Sequence, residues 1–300
     1  MVRLVLNGKR AADERMREAV AKVRQEGTAV EVRVTWERGD AGMFVQEAAK
    51  AGLERVIVAG GDGSINEAIN GLMALPKSER PVLGIVPFGT ANDFATAAKI
   101  PQTPYEALHL AIHGTPANVD VVRANERYFL NVASGGFGAQ IVADTPTALK
   151  HFLGGGAYTL SAVLKALNYT PHKGKLIAPD RTLEEESLAT LVCNGRQAGG
   201  GQVLAPNAYI DDGLLDIVVV KTFPLSELAE VIAQFKDPSR KGEYIEHFQA
   251  KWVESIPYQE RLVNLDGEPY ATGTIRYEIC EKEVSIVLPK QSPLLKDSGL

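Results

Sequence analysis

Val56-Ile57-Val58-Ala59-Gly60-Gly61-Asp62-Gly63-Ser64-Ile65-Asn66-Glu67 is the stretch whose reading decides the fold. A continuous apolar run ends in a glycine-rich turn and passes straight into helical spacing at Ile65, Ile69 and Leu72. The pattern predicts a buried parallel strand, a tight loop and a helix N-terminus. Glycines let a backbone come close to a ligand. The first N–H groups of a helix lack internal partners and often face phosphate. The loop has neither G-x-G-x-x-G nor the Lys-Ser/Thr pair of a P-loop. Asp62 stands in the cradle instead. A carboxylate beside phosphates repels them unless a cation lies between, so the pattern points to a Mg2+-nucleotide. Four such residues alone are also ordinary turn chemistry. The strand before them and the helix after them argue for a site.

A second junction of the same kind follows about 30 residues on: Val82-Leu-Gly-Ile-Val86-Pro87-Phe88-Gly89-Thr90-Ala91-Asn92-Asp93-Phe94. A strand again ends in a Gly-Thr turn, and Asn92 or Asp93 is placed to cap the next helix. Open parallel sheets bind ligands at the carboxyl ends of their strands. Two polar glycine loops at two strand ends therefore predict one shared site.

Outward from these loops, residues 1 to about 120 alternate strand (2–6, 30–34, 55–59, 82–87) and helix (13–25, 42–50, 65–75, 91–99, 105–113). A βαβα order of this kind implies a doubly wound parallel sheet. The texture changes near Asn118. A hairpin is expected over 119–133, then a helical insertion over 147–168 broken by Gly154, Gly155 and Gly156. Short strands follow at 186–193, 209–210, 215–220, 252–255, 261–265, 276–279 and 283–288, with one helix over 225–235. Such a run suggests an antiparallel sandwich or barrel. The expected domains are 1–120 (α/β, Rossmann-like, nucleotide-binding) and 121–288 (β-sandwich), with 289–300 as a C-terminal segment.

Three hundred residues with 45% apolar composition and a net charge of −5 suffice for one large domain or two ordinary ones. Charges of both signs are mixed along the chain. That argues against nucleic acid, which needs a basic face. Cys193 and Cys280 lie in apolar runs with no C-x-x-C, as expected of free thiols in a reducing compartment. No apolar stretch approaches the ~20 residues of a bilayer span. The expected location is cytoplasmic. A stretch from Ala148 to Lys175 carries Lys150, Lys165, Lys173 and Lys175 and no acid, and could dock on an anionic membrane surface. Packing against the second domain is the competing reading. Nothing in the sequence sets an oligomeric state.

G-G-D-G-S-I-N-E at 60–67 followed by P-F-G-T-A-N-D-F at 87–94 resembles the diacylglycerol kinase catalytic family, and more narrowly the bacterial YegS-type lipid kinases. Leu4-Val-Leu-Asn7-Gly-Lys9, Val34-Thr35-Trp36-Glu37-Arg38-Gly39-Asp40-Ala41, Asn194-Gly-Arg-Gln-Ala-Gly-Gly-Gly201, Asp212-Gly-Leu-Leu215 and Asn264-Leu-Asp266-Gly-Glu268 fit the same group, in order, from residue 2 to the C-terminus. Ser64 stands where Thr is commoner and keeps the hydroxyl.

The resemblance implies ATP and Mg2+ as cofactors and transfer of the γ-phosphoryl group to a hydroxyl of a lipid. It implies nucleotide contacts at Thr35, Gly60, Gly61, Asp62, Gly63, Ser64, Ile65, Asn66, Glu67 and Thr90. It implies a second-domain site for Mg2+, with Ca2+ as the alternative, at Tyr209, Asp212 and Leu214, the outer two through main-chain oxygen. It implies a general base at Glu268, with Asp266 the rival in the same turn, and a return of 289–300 to the first domain. The protein would then contact the membrane transiently, from the cytosol. Locally, the two acidic turns also read as solvated hairpin turns, Thr35 as strand packing, and 194–201 as a flexible loop or a wall of the acceptor site. His109 and His113, four residues apart, read as ordinary histidines. A NAD kinase shares the G-G-D-G loop, but the Gly89–Asp93 junction and the Asp266-Gly-Glu268 turn favour the lipid group. A non-catalytic nucleotide binder would not need to keep Asp62, Asp212, Asp266 and Glu268 near a polyanion.

Overall fold

The computed structural model describes residues 1–136, 171–237, 239–240, 242–259 and 261–296. The first part runs β1 (Val2–Leu6), α1 (Glu14–Gln25), β2 (Val30–Val34), α2 (Asp40–Lys50), β3 (Arg55–Gly60), α3 (Asp62–Met73), β4 (Val82–Pro87), α4 (Asp93–Ala97) and α5 (Pro104–His113). The four strands are parallel in the order β2-β1-β3-β4. β1, β3 and β4 are almost wholly buried, as their unbroken apolar runs require. The edge strand β2 alternates more with polar residues and is more open. α1 buries Met16, Ala19, Val20 and Val23, one stripe at helical spacing, and Asp13 caps it by accepting from Arg15 N.

The second part is built of antiparallel strands: β5 (Pro116–Ala124), β6 (Arg127–Phe129), β7 (Val132–Gly136), β8 (His172–Ala178), β9 (Arg181–Cys193), the short pair β10 (Gln197–Ala198) and β11 (Gln202–Val203), then β12 (Leu215–Lys221). After them come α6 (Leu228–Lys236), β13 (Ile245–Ala250), β14 (Trp252–Pro257), β15 (Arg261–Leu265), β16 (Glu268–Thr272) and β17 (Ile275–Val287). The sequence separates 276–279 from 283–288. The structure joins them in one strand with an irregularity between Cys280 and Val284. Asp120, opposite that irregularity, accepts from Lys282 N at 2.8 Å and from Gly213 N at 2.8 Å, so the interruption is held by a buried carboxylate.

β5 and β17 form the seam. β17 runs antiparallel to β5 and to β14, and parallel to β4 through Ile286 and Leu83. Side chains alternate across a strand. Val119, Val121, Val284 and Ile286 enter the core around the parallel sheet, while Val122, Ala124, Tyr277 and Ile279 enter the core of the antiparallel part. Two hydrophobic cores thus share two strands. The C-terminal segment also joins the first core: Leu288 and Leu294 are buried there, and Leu294 O accepts from Ile210 N.

Some expectations need revision. Residues 209–210 do not form a strand. Ile210 N bonds Leu294 O and Ile210 O bonds Asp120 N, so this apolar pair is a tie between two segments, with no ladder. β8, β13 and β16 escaped the sequence reading because their residues mix polar and apolar types. The expected helical insertion over 147–168 lies outside the described residues, as do Lys150 and Lys165. The other two lysines of that basic stretch lie on β8. There Lys173 pairs with Glu186 at 3.4 Å and Lys175 with Glu184 at 2.6 Å. The acids come from the neighbouring strand, which a linear scan for acid-free stretches cannot see.

α2 and α3 cross where Gly42 meets Gly71. A Cβ added at Gly71 would lie 2.6 Å from Gly42 Cα and from Gly42 O. Overpacking of this kind costs about 1–3 kcal/mol. Gly71→Ala is therefore expected to lower the urea midpoint, while Gly273→Ala, with open space around it, leaves it unchanged. Equal midpoints for the Gly71 variant and the wild type would disprove the close contact.

Candidate active site

The order β2-β1-β3-β4 reverses the direction of chain winding between β1 and β3. The crevice at the carboxyl ends of such strands is where open α/β sheets bind ligands. Asn7 leaves β1 there, and its Nδ2 donates to Ser64 Oγ at 3.2 Å. Thr35 leaves β2. Its N donates to Leu6 O at 3.0 Å and its Oγ1 accepts from Gly8 N at 3.1 Å. The loops after β3 and β4 touch backbone to backbone: a Cβ at Gly89 would lie 2.3 Å from Gly61 Cα. The two glycine loops singled out in the sequence are therefore one surface. Thr90 is exposed beside it.

Asp62 joins the loops. It begins α3, and its carboxylate reaches the start of α4, accepting from Asp93 N at 3.0 Å and Phe94 N at 3.2 Å. The sequence suggested Asn92 or Asp93 as the cap of that helix. Neither caps it. Asn92 is in the left-handed region at φ 54 and turns back to accept from Gly89 N at 2.8 Å. The Asp93 carboxylate instead accepts from Gly200 N at 3.0 Å and Gly201 N at 2.5 Å. It draws the third glycine loop, between β10 and β11, to the same place. Burial pushes the Asp62 carboxyl up to about 6, and the neighbouring Asp93 adds to the rise. A carboxylate so placed gains from a cation in front of it. A hard ion carried by phosphates would suit such a carboxylate.

The two rival acids of the late turn separate by environment. Asp266 is buried at φ 51. It accepts from Leu130 N at 2.7 Å, Asn131 N at 2.9 Å, Val132 N at 2.9 Å and Asn66 Nδ2 at 3.4 Å. Burial raises its pKa, and those donors pull the other way. Glu268 begins β16 with its side chain 33% exposed. One carboxylate oxygen lies 3.0 Å from where Gly63 would carry a Cβ. The other is paired with Arg38. Glu268 thus sits over the first turn of α3. Within that helix Ile65 anchors in the core, Asn66 Nδ2 bonds Tyr128 O at 3.1 Å, and Glu67 accepts from Ala41 N at 3.3 Å.

Among the described residues, no three acidic, histidine or cysteine side chains converge as a metal cluster. At the second-domain turn Asp212 Oδ1 accepts from Leu214 N at 3.1 Å, and Oδ2 lies 3.7 Å from Lys296 Nζ. Burial raises its pKa. Tyr209 lies under the Arg196 guanidinium, 4.8 Å from the ring centroid. The sequence reading passed over Asn7, Arg38 and Asp93 as site residues. Each stood inside a quoted motif, but only the fold shows what its side chain meets.

The family model "Diacylglycerol kinase catalytic domain" matches residues 1–124, and "YegS C-terminal NAD kinase beta sandwich-like domain" matches residues 131–288. A protein of Shewanella frigidimarina described as "Probable lipid kinase YegS-like" is 44% identical over 99% of this chain and 96% of its own. One of the same description from Chromohalobacter salexigens is 46% identical over 97% of this chain and 94% of its own. The chain belongs to the YegS-like lipid kinase family. The solved structure of a putative diacylglycerol kinase from Bacillus anthracis is 30% identical and superimposes at a TM-score of 0.81, covering 96% of this chain and 95% of that one. The protein is accordingly an enzyme of the kinase class, and membership of the family implies ATP and a lipid substrate. No helix among the described residues is long and apolar enough to cross a membrane.

Two predictions follow for this kinase's acids. Asp266→Ala strands three buried backbone donors at about 1–3 kcal/mol each. It should cost on the order of 3 kcal/mol or more in urea unfolding, whereas Glu268→Gln shifts stability by about 1 kcal/mol or less. Equal effects would show that Asp266 does not hold the 130–132 backbone. The second concerns pH. The Asp62 carboxyl titrates near 6 in the fold and near 4 unfolded, so the folded state holds the proton more tightly between those values. The stability of wild type relative to Asp62→Asn should therefore rise as pH falls from 7.5 to 5. A difference that is flat, or that falls, overturns the assignment.

Proposed function

We propose that this kinase transfers the γ-phosphoryl group of ATP in line to a hydroxyl of a membrane lipid, diacylglycerol, phosphatidylglycerol or a similar acceptor. Glu268 would be the general base. The observation that carries the reading is the place of its carboxylate, over Gly63 at the N-terminus of α3, where phosphate would meet the glycine loop. Asp266 lies two residues away with its oxygens already occupied by backbone donors.

In this reading Thr35, Thr90 and the stretch Gly60, Gly61, Asp62, Gly63, Ser64, Ile65, Asn66 and Glu67 bind the nucleotide. The N–H groups opening α3 receive phosphate oxygens. Asp62 holds the two loops at a fixed separation and presents its charge toward the cation. Asn7 orients Ser64. Mg2+ carried with the nucleotide supplies neutralisation of phosphate charge. Glu268 accepts the acceptor hydroxyl's proton. A weak base suffices, because proton loss can be late when the leaving group is stabilised. Tyr209, Asp212 and Leu214 remain the proposed second-domain cation site, outside the chemical step. The Lys296 ammonium 3.7 Å from Asp212 supports a preference of the turn for positive charge. Contact with the membrane would be peripheral and transient, since the acceptor is a lipid.

The test is incubation of labelled ATP with a lipid panel and with NAD, followed by identification of the product. A phosphorylated lipid supports the reading. Phosphorylated NAD would make the protein a NAD kinase, and no product a nucleotide-binding regulator. Glu268→Gln should lower kcat by ~10²–10⁴ without raising the KM for ATP. Asp62→Asn should nearly abolish turnover in a folded protein. If Asp266→Asn keeps the wild-type urea midpoint and still lowers kcat more than Glu268→Gln, the base is Asp266.

A further inference from the structure

The guanidinium of Arg38 is bonded to the Glu268 carboxylate, which lies over the glycine loop. Arg38 sits on the loop between β2 and α2. That loop is ordered from within: Asp40 Oδ2 accepts from Trp36 N at 2.6 Å and Glu37 N at 2.9 Å, and Gly39 takes φ 94. The backbone that carries Arg38 is therefore fixed, while its side chain is 64% exposed and meets Glu268 across the mouth of the crevice. Glu268 reaches the other way, to Gly63 at the first turn of α3. A cation, an anion and a helix N-terminus thus stand in a row.

A terminal phosphate arriving at the helix N-terminus carries charge of the same sign as Glu268. It repels that carboxylate and attracts the guanidinium. Arginine binds phosphate and carboxylate with the same planar fork, so the two anions compete for it. We propose that Arg38 is a positioning residue that exchanges Glu268 for the γ-phosphate of ATP. In the resting enzyme it holds Glu268 neutralised at the mouth. With ATP bound it turns to the terminal phosphate, and the freed carboxylate faces the acceptor hydroxyl. The exchange forms and breaks only ion pairs. It makes the base available when a transferable phosphate is present and withdraws it in the ADP state, which has no γ-phosphate to take the guanidinium. The role of Glu268 rests on the function proposed above, but the competition for Arg38 does not.

The test uses equilibrium binding of the full chain to Mg-ATP and Mg-ADP, which needs no turnover. Arg38→Ala should weaken ATP by about tenfold or more, the effect of losing a charge-assisted bond, and leave ADP within about twofold. Arg38→Lys should restore part of the ATP affinity. Glu268→Gln removes the competitor as well as its repulsion, so it should tighten ATP more in the Arg38 protein than in Arg38→Ala, where only the repulsion is relieved. Equal weakening of ATP and ADP, or a Glu268→Gln effect independent of Arg38, overturns the proposal. Urea midpoints within error of wild type show that the variants fold, and a Lys variant that binds like the Ala variant also counts against the exchange. If Glu268→Gln retains full kcat while the binding cycle behaves as expected, the base assignment fails and the competition for Arg38 stands.

Discussion

The site depends on one carboxylate that spans two loops. Asp62 begins α3 at the end of β3, and its oxygens take the first two N–H groups of α4, at the end of β4. Charge at a helix N-terminus and satisfied donors both favour that bond. Gly61 and Gly89 let the backbones touch beneath it. Asp93, whose own N–H is held by Asp62, can then turn its side chain to the Gly199–Gly201 turn. Three loops that are far apart in sequence are thus ordered by two acids. Burial is the main reason the Asp62 carboxyl is pushed upward, and the Asp93 carboxylate beside it adds to the rise. The charge that organises the site is also the charge that a cation would relieve.

The second constraint is the seam. β5 and β17 each send alternate side chains into two cores, so neither core can move without the other. This rigidity matters to the site because its parts come from both sides. The glycine loops belong to the parallel sheet, whereas Glu268 and Asp266 belong to the hairpin of β15 and β16. Asp266 fastens that hairpin to the 130–132 backbone, and Asn66 ties α3 to the same point. The two acids of one turn therefore divide the work. One sets the position of the hairpin. The other extends from it over the glycine loop at Gly63.

Much of the first part was legible in the sequence, and for local reasons. Buried parallel strands need unbroken apolar runs, helices need a stripe at 3.6 spacing, and loops that approach phosphate need glycine. Each of these is written in neighbouring residues. The strands at 2–6, 30–34 and 82–87, the helix face of Met16, Val20 and Val23, and the convergence of two glycine loops follow from that. So does membership of the lipid kinase family, because the motifs at 60–67, 87–94 and 264–268 are contiguous. The antiparallel part was less legible. β8 and β16 pair with the strands next to them in the chain, β9 and β15, and β13 with β12. But they lack a clear apolar alternation, and on β8 the polar residues are matched by cross-strand charges, as Lys175 faces Glu184.

What only the tertiary structure decided is the use of each charged group. The sequence placed Asp266 and Glu268 in one turn and left their roles open. Burial under three backbone donors against exposure over Gly63 separates them, and both are long-range facts. The cap of α4 came from Asp62, 31 residues away, when the local residues Asn92 and Asp93 looked sufficient. Arg38 lay in a readable motif, yet its partner is 230 residues off. Residue type and spacing determine which chemistry a chain can hold, because conformation is local. Which acid is spent on structure and which is left for a substrate depends on what the fold brings against it, and a linear pattern carries no record of that.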